Sequence, residues 1–187
     1  MAAAEPGQGV TIRLATPGDV DGIARVSALA FGATYPGMVP PEVLREWIDN
    51  AADPWRKAFD DREPDSPWRP WVAVRDGAIT GYATTTPAKD GWLPPPAGAG
   101  ELTNLYLDPD AIGTGVGSAL YDRAVADLRA RGFNPFVVWA FRDNHRALRF
   151  YEGKGLTIDV PDHAWVLGDV PCPIVRLRID WAASGAG

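Results

Sequence analysis

Leu105-Tyr106-Leu107-Asp108-Pro109-Asp110-Ala111-Ile112-Gly113-Thr114-Gly115-Val116-Gly117-Ser118 is the stretch on which the reading of this chain turns. Its first three residues close an apolar, strand-like run that begins at Glu101. A helix is expected from Ser118 to Arg131: Val116, Leu120, Ala124 and Leu128 fall four apart, and Gly132 stands where a helix-ending glycine belongs. A strand that passes through a glycine turn into a helix makes a phosphate cradle. Glycine lets the main chain approach an anion, and the first helical turn offers unpaired N–H groups at the positive end of the dipole. The spacing excludes two nucleotide sites. Gly117 is followed by Ser118 with no lysine, so this is no P-loop. A dinucleotide fingerprint would need glycine or alanine at the third place, where Ser118 or Leu120 stands. Taken alone, the glycines also fit a turn with a purely steric purpose.

Outward from this stretch the elements are legible. Val10 to Leu14 alternates as a strand. Thr16 or Asp19 caps a helix that carries Val20, Ile23, Ala24, Val26 and Ala30 on one side. A second helix runs from Pro41 or Glu42 through Trp47 and Ile48. From Asp53 to Pro70 prolines and charges break the pattern, which predicts a surface excursion with a helical turn. Trp71 to Arg75, then Asp76-Gly77, then Ile79 to Thr86 predicts a tight hairpin. Asp90 to Gly100 reads as a loop, Pro135 to Phe141 as a strand and Asn144 to about Glu152 as a short helix. A closing pair of strands is expected near Leu156 to Ile158 and Ile174 to Ile179. The class is α/β (α+β), a mixed, mostly antiparallel central sheet flanked by helices, in a single domain over residues 10–181 with tails at 1–9 and 182–187.

Composition narrows the functions. The net charge of −6, from 18 basic and 24 acidic residues, gives no basic patch for nucleic acid. No apolar run approaches a membrane span and the first residues lack a signal-peptide pattern, so the expected location is the cytoplasm. Cys172, the sole cysteine, has no partner for a disulfide or a metal. Two isolated histidines likewise predict no metal site.

The residues 105–120 resemble the acetyl-CoA motif of the Gcn5-related N-acetyltransferase (GNAT) family, a strand ending in Asp-Pro followed by Gln/Arg-x-x-Gly-x-Gly/Ala and a helix. Gly115 and Gly117 occupy the two glycine places, and Ile112 stands where Gln or Arg is usual. A second element, Asp143-Asn144 through Ala147, Phe150 and Tyr151 to Gly155-Leu156, is similar to the family's Asn-x-x-Ala-x-x-Phe-Tyr-x-x-x-Gly-Phe. Asn144 and Tyr151 lie two helical turns apart, on one side of the helix. The resemblance runs from about Val10 to Ile179 and implies a sheet that splays open after its fourth strand, with coenzyme A in the gap.

It further implies acetyl transfer from acetyl-CoA, with no metal, to a small-molecule or peptide amine. Pantetheine would lie along the main chain of Leu105, Tyr106 and Leu107, and phosphates along Ile112, Gly113, Thr114, Gly115, Val116, Gly117 and Ser118, with Asn144 and Tyr151 opposite. Glu101 would act as general base through water, a main-chain N–H near Tyr106 or Leu107 would meet the oxyanion, and Tyr151 would protonate or hold the departing thiolate. On the acceptor side the first two helices would contribute Phe31, Tyr35, Met38 and Trp47, with Trp55 or Trp68 as further candidates. His163, in the segment between the closing strands, is a candidate contact there, whereas His145 is expected to face solvent. An exposed subset of the eight tryptophans would also suit a homodimer interface. Two other readings stay open at this point: a non-catalytic acetyl-CoA or CoA sensor on the same fold, which Ile112 favours, and a structural protein in which the glycines merely turn the chain.

Overall fold

The computed structural model describes residues 9–89 and 93–181. Apart from Gly9, the two expected tails lie outside the described residues, as does the 90–92 part of the expected loop. The strands are β1 (Val10–Leu14), β2 (Arg69–Arg75), β3 (Ala78–Pro87), β4 (Gly100–Leu107), β5 (Phe136–Phe141), β6 (Thr157–Leu167) and β7 (Val170–Ile179). The helices are α1 (Val20–Thr34), α2 (Pro41–Asp49), α3 (Asp53–Asp60), α4 (Val116–Ala130) and α5 (His145–Gly153). The described strands make one sheet in the order β1-β2-β3-β4-β5-β7-β6. Only the β4–β5 pair is parallel; its neighbours on both sides are antiparallel.

Alternation along the strands assigns the two faces. Trp71, Ala73, Ala83, Leu102 and Val138 pack against α4 and α5. On the opposite face Val72, Ile79 and Tyr82 meet α1 and α3, while Phe141, Cys172 and Ile174 meet the end of α1 and α2. Asp76 and Gly77 turn the β2–β3 hairpin with φ of 51° and 77°, the left-handed pair that an Asp-Gly turn supplies.

The sheet opens at β4. This strand pairs with β5 only where Gly100 to Leu102 lies beside Phe136 to Val138. Across from β3, Leu102 opposes Thr85 and Asn104 opposes Thr84, so Thr103 is one residue too many. Such a bulge bends its strand and sharpens the twist. The Thr103 hydroxyl lies 2.6 Å from that of buried Thr84, and the Asn104 carboxamide donates to the same Thr84 oxygen at 2.7 Å. Past the bulge β4 stays with β3, whereas Trp139 to Phe141 of β5 stay with β7. The two strands diverge, and the space between them becomes a cleft.

Two expectations need correction. Within the excursion expected to carry one helical turn, residues 53–60 form a helix of two turns, because Pro54 is acceptable in a first turn and Trp55 is buried against Phe59, Trp68 and Tyr82. The closing strands are also far longer than expected: 157–167 and 170–179 form a hairpin, so His163 sits within a strand opposite Ile174. Pro171 and Pro173 are tolerated because β7 pairs with β5 only from Ile174 onward. Arg142 N–H donates to the Pro173 carbonyl at 3.0 Å, which points the missing N–H of Pro173 to the side where β5 has ended.

Trp55→Ala is expected to lower stability by about 3–5 kcal/mol through loss of this aromatic packing, read as a lower urea midpoint. Ligand affinity in the cleft should survive, since Trp55 does not line it.

Candidate active site

The gap between β4 and β5 is a cleft of about 540 Å³ reached from both faces of the sheet. Its α4–α5 end is built on glycine. Gly113 and Gly115 have φ of 80° and 87°, and Gly115 is the residue that caps α4. The amides of Val116, Gly117 and Ser118 open that helix and have no intrahelical carbonyl to donate to. Gly117 is required for a different reason: a Cβ there would come within 3.0 Å of Leu107 Cδ1, so its absence lets α4 pack on β4.

Across the gap Asn144 caps α5, its Oδ1 accepting the Ala147 N–H at 3.1 Å. That leaves the carboxamide nitrogen for a ligand. Small Ala147 keeps the wall low beside Tyr151, which is buried and borders the cleft. Burial raises the Tyr151 phenol well above its ordinary pKa, with Tyr106 and Tyr121 adding to the shift, so it keeps its proton at neutral pH. From Thr103 to Leu107 the edge of β4 has no strand beside it on the β5 side. Unpaired amides at a bare glycine turn, an apolar trough with Leu105, Leu107 and Ala147, and a free strand edge suit the phosphates and the amide-bearing arm of coenzyme A.

The α1–α2 end is different. Glu101 borders the cleft there, and burial raises its carboxyl above the ordinary value, while Lys89, Arg176 and a hydrogen bond from the Lys89 main chain pull it back. Arg176 is itself held by both oxygens of Asp159, at 3.0 and 2.8 Å, and lies over the Trp139 ring. Tyr35 lines this end with its hydroxyl 2.7 Å from that of Tyr106.

Several expected contacts stand elsewhere. Val116 is a core residue and the Thr114 hydroxyl donates back to the Ala111 carbonyl at 2.7 Å, so neither side chain lines the cleft. Phe31 and Trp47 form a layer behind Tyr35, with ring centroids 5.9 and 6.1 Å from it. Met38 borders a smaller neighbouring hollow, together with exposed His145. Trp55 and Trp68 belong to the remote cluster on Tyr82. His163 faces Trp139, 5.6 Å between ring centroids, without lining the cleft. Conversely Trp139, Phe141, Trp165 and Arg146 border the cleft without having been singled out. The alternation of Val138, Trp139, Ala140 and Phe141 in β5 carried a signal for two of them; Trp165 lies in the part of β6 beyond the short strand expected near Leu156 to Ile158.

Among the described residues no group of three or more His, Cys, Asp or Glu side chains could hold a metal ion, and no helix is long and apolar enough to cross a membrane.

Comparison with known proteins agrees with this geometry. A sequence profile of the Acetyltransferase (GNAT) family matches residues 35–156. A mycothiol acetyltransferase of Frankia alni is 32% identical over 163 residues, 82% of this chain but 44% of that protein. The chain thus spans less than half the length of this relative and of the matching one from Thermomonospora curvata. An uncharacterized N-acetyltransferase of Mycobacterium bovis is 32% identical over 143 residues, covering 75% of this chain and 85% of the relative. Among solved structures, the PaiA N-acetyltransferase of Thermoplasma acidophilum in complex with coenzyme A superposes with a TM-score of 0.75 at 17% identity, over 93% of this chain and all of that one. The ribosomal-protein-S18-alanine N-acetyltransferase of Escherichia coli shares the fold at a TM-score of 0.66 and 16% identity, over 95% and 97% of the two chains. Sequence profile, sequence relatives and sheet geometry converge: the chain belongs to the GNAT acetyltransferase family.

Proposed function

We propose that this chain, as one domain over residues 10–181, transfers the acetyl group of acetyl-CoA to the amine of a small molecule. The observation that carries the reading is the polarity of the cleft. One end offers main-chain donors and a protonated phenol, the other a raised carboxyl among aromatic rings, and the splayed strand edge joins them. Acetyl-CoA supplies an acyl group already activated as a thioester.

The residues divide the work. An alkylamine with a pKa near about 10 is protonated at neutral pH and must lose a proton before it can attack. Glu101 accepts that proton through a water at the acceptor end. Main-chain N–H groups on the free edge of β4 are positioned to donate to the acyl oxygen. Tyr151 retains its proton and donates to the leaving sulfur.

The acceptor follows from how the α1–α2 end is closed. Tyr35, Val39, Leu44, Phe141, Leu167, Cys172 and Ile174 form one buried cluster between α2 and the β6–β7 hairpin. Trp47 of α2 stacks on Trp165 of β6 at 5.4 Å. An extended peptide laid between α2 and that hairpin would have to displace a core. This favours a compact amine reaching Glu101, and the sequence relatives from Frankia alni and Thermomonospora curvata are named for mycothiol.

Three outcomes are expected. In a CoA-release assay after confirmed acetyl-CoA binding, small primary amines, polyamines and aminoglycosides included, should contain a substrate that outpaces peptide N-termini by at least about tenfold. Absence of acetyl-CoA binding would sink the reading. Tyr151→Phe should lower turnover by about 10²-fold while changing acetyl-CoA affinity little; unchanged turnover removes the acid role. For Glu101, the base must be ionised, so the rate should fall as pH drops through its raised pKa. The acid limb of kcat/KM is therefore expected above the ordinary 4.5, and Glu101→Gln should lower the plateau and erase that limb.

A further inference from the structure

The family's usual Gln or Arg at the head of the glycine turn is here Ile112, 38% exposed at the cleft wall. Coenzyme A carries a diphosphate and a 3′-phosphate, and main-chain amides alone would have to meet that charge in a protein of net charge −6. We propose that Arg146, on the first turn of α5, supplies the missing cation and binds these phosphates; the inference rests on the acetyl-CoA reading.

Three observations converge on Arg146. Among the described residues that line the cleft only two carry charge, Glu101 of β4 and Arg146 of α5. Arg146 is exposed and has no carboxylate within ion-pair distance among the described residues, in contrast to Arg142, Lys154 and Arg176 nearby.

The packing of α5 on α4 then fixes where it stands. Lys154 pairs with Asp122 at 2.6 Å, and one turn earlier Phe150 meets Tyr121 edge-on at 5.6 Å. Residues four apart share a helix face, so the stripe Lys154, Phe150, Arg146 continues toward the start of α5, while one turn back from Tyr121 on α4 lies Ser118. The guanidinium is thereby carried to the mouth between the α5 start and the Gly115–Ser118 amides. Cation and helix N-terminus face one anion site from opposite walls, with Ile112 leaving room between them.

The test is equilibrium binding of CoA and of S-acetylpantetheine, which lacks the nucleotide phosphates, to the unaltered chain, Arg146→Ala and Arg146→Lys. Arg146→Ala should weaken CoA by about tenfold or more and flatten its salt dependence, and leave S-acetylpantetheine unchanged. Arg146→Lys should fall between, since lysine keeps the charge and loses the fork. Equal weakening of both ligands would mean a structural role and overturn the proposal. So would an unchanged CoA affinity, including the case in which only KM for the amine rises, because Arg146 also borders the smaller hollow with Thr34 and Met38. If the unaltered chain binds no CoA, it is the acetyl-CoA reading that fails, so the two failures are distinguishable.

Discussion

The single extra residue at Thr103 is the constraint from which the rest follows. A strand that kept its register would pair with β5 to the end, and the sheet would be closed. Instead the ladder stops at Leu102, and the remainder of β4 follows β3 away from its neighbour. The disruption is held by a buried polar knot, in which Thr84 meets both the Thr103 hydroxyl and the Asn104 carboxamide. It also carries a cost. The adjacent Thr85 hydroxyl is buried with no hydrogen-bond partner among the described residues, a loss of about 1–3 kcal/mol. Stability is thus spent locally to hold a strand edge open where a ligand can use it.

An open edge alone would be indifferent to what enters. The two helical layers make it directional. On one side α4 and α5 both begin at the cleft, so positive helix ends, bare glycines and Arg146 gather there. On the other, the rings of Tyr35, Trp139, Phe141 and Trp165 line the same cleft as a carboxylate whose charge is disfavoured by burial yet favoured by Lys89 and Arg176. In the proposed reaction, the phosphate-binding end and the proton-accepting end would thus lie on opposite sides of the sheet.

Much of this was legible from local pattern. The four-residue spacing of Val116, Leu120, Ala124 and Leu128 gave α4. Asp76-Gly77 gave the hairpin, and the glycine turn with Asn144 and Tyr151 pointed to a cofactor site. The errors came where tertiary packing overruled local chemistry. Prolines around Trp55 suggested a surface excursion with one helical turn, but burial of that indole against Tyr82 sustains a helix of two turns. The last strand was expected only from Ile174, yet it begins at Val170 and accommodates Pro171 and Pro173 because, among the described residues, its pairing with β5 starts at Ile174. Of the acceptor aromatics, Tyr35 reaches the cleft while Phe31 and Trp47 stand behind it, a difference of depth that helical spacing does not encode.

By itself the sequence determined most of the order of elements and the glycine turn that needs positive φ, because each depends on residues within a few turns of one another; the pairing of that turn with Asn144 and Tyr151 came from the resemblance to a known family. Only the tertiary structure decided that Thr103 would be a bulge, that Val116 would serve the core, that α2 would close on the β6–β7 hairpin, and that Arg146 would border the cleft. Those outcomes depend on register and packing between segments far apart in the chain, and burial is a property of neighbours that no local spacing records.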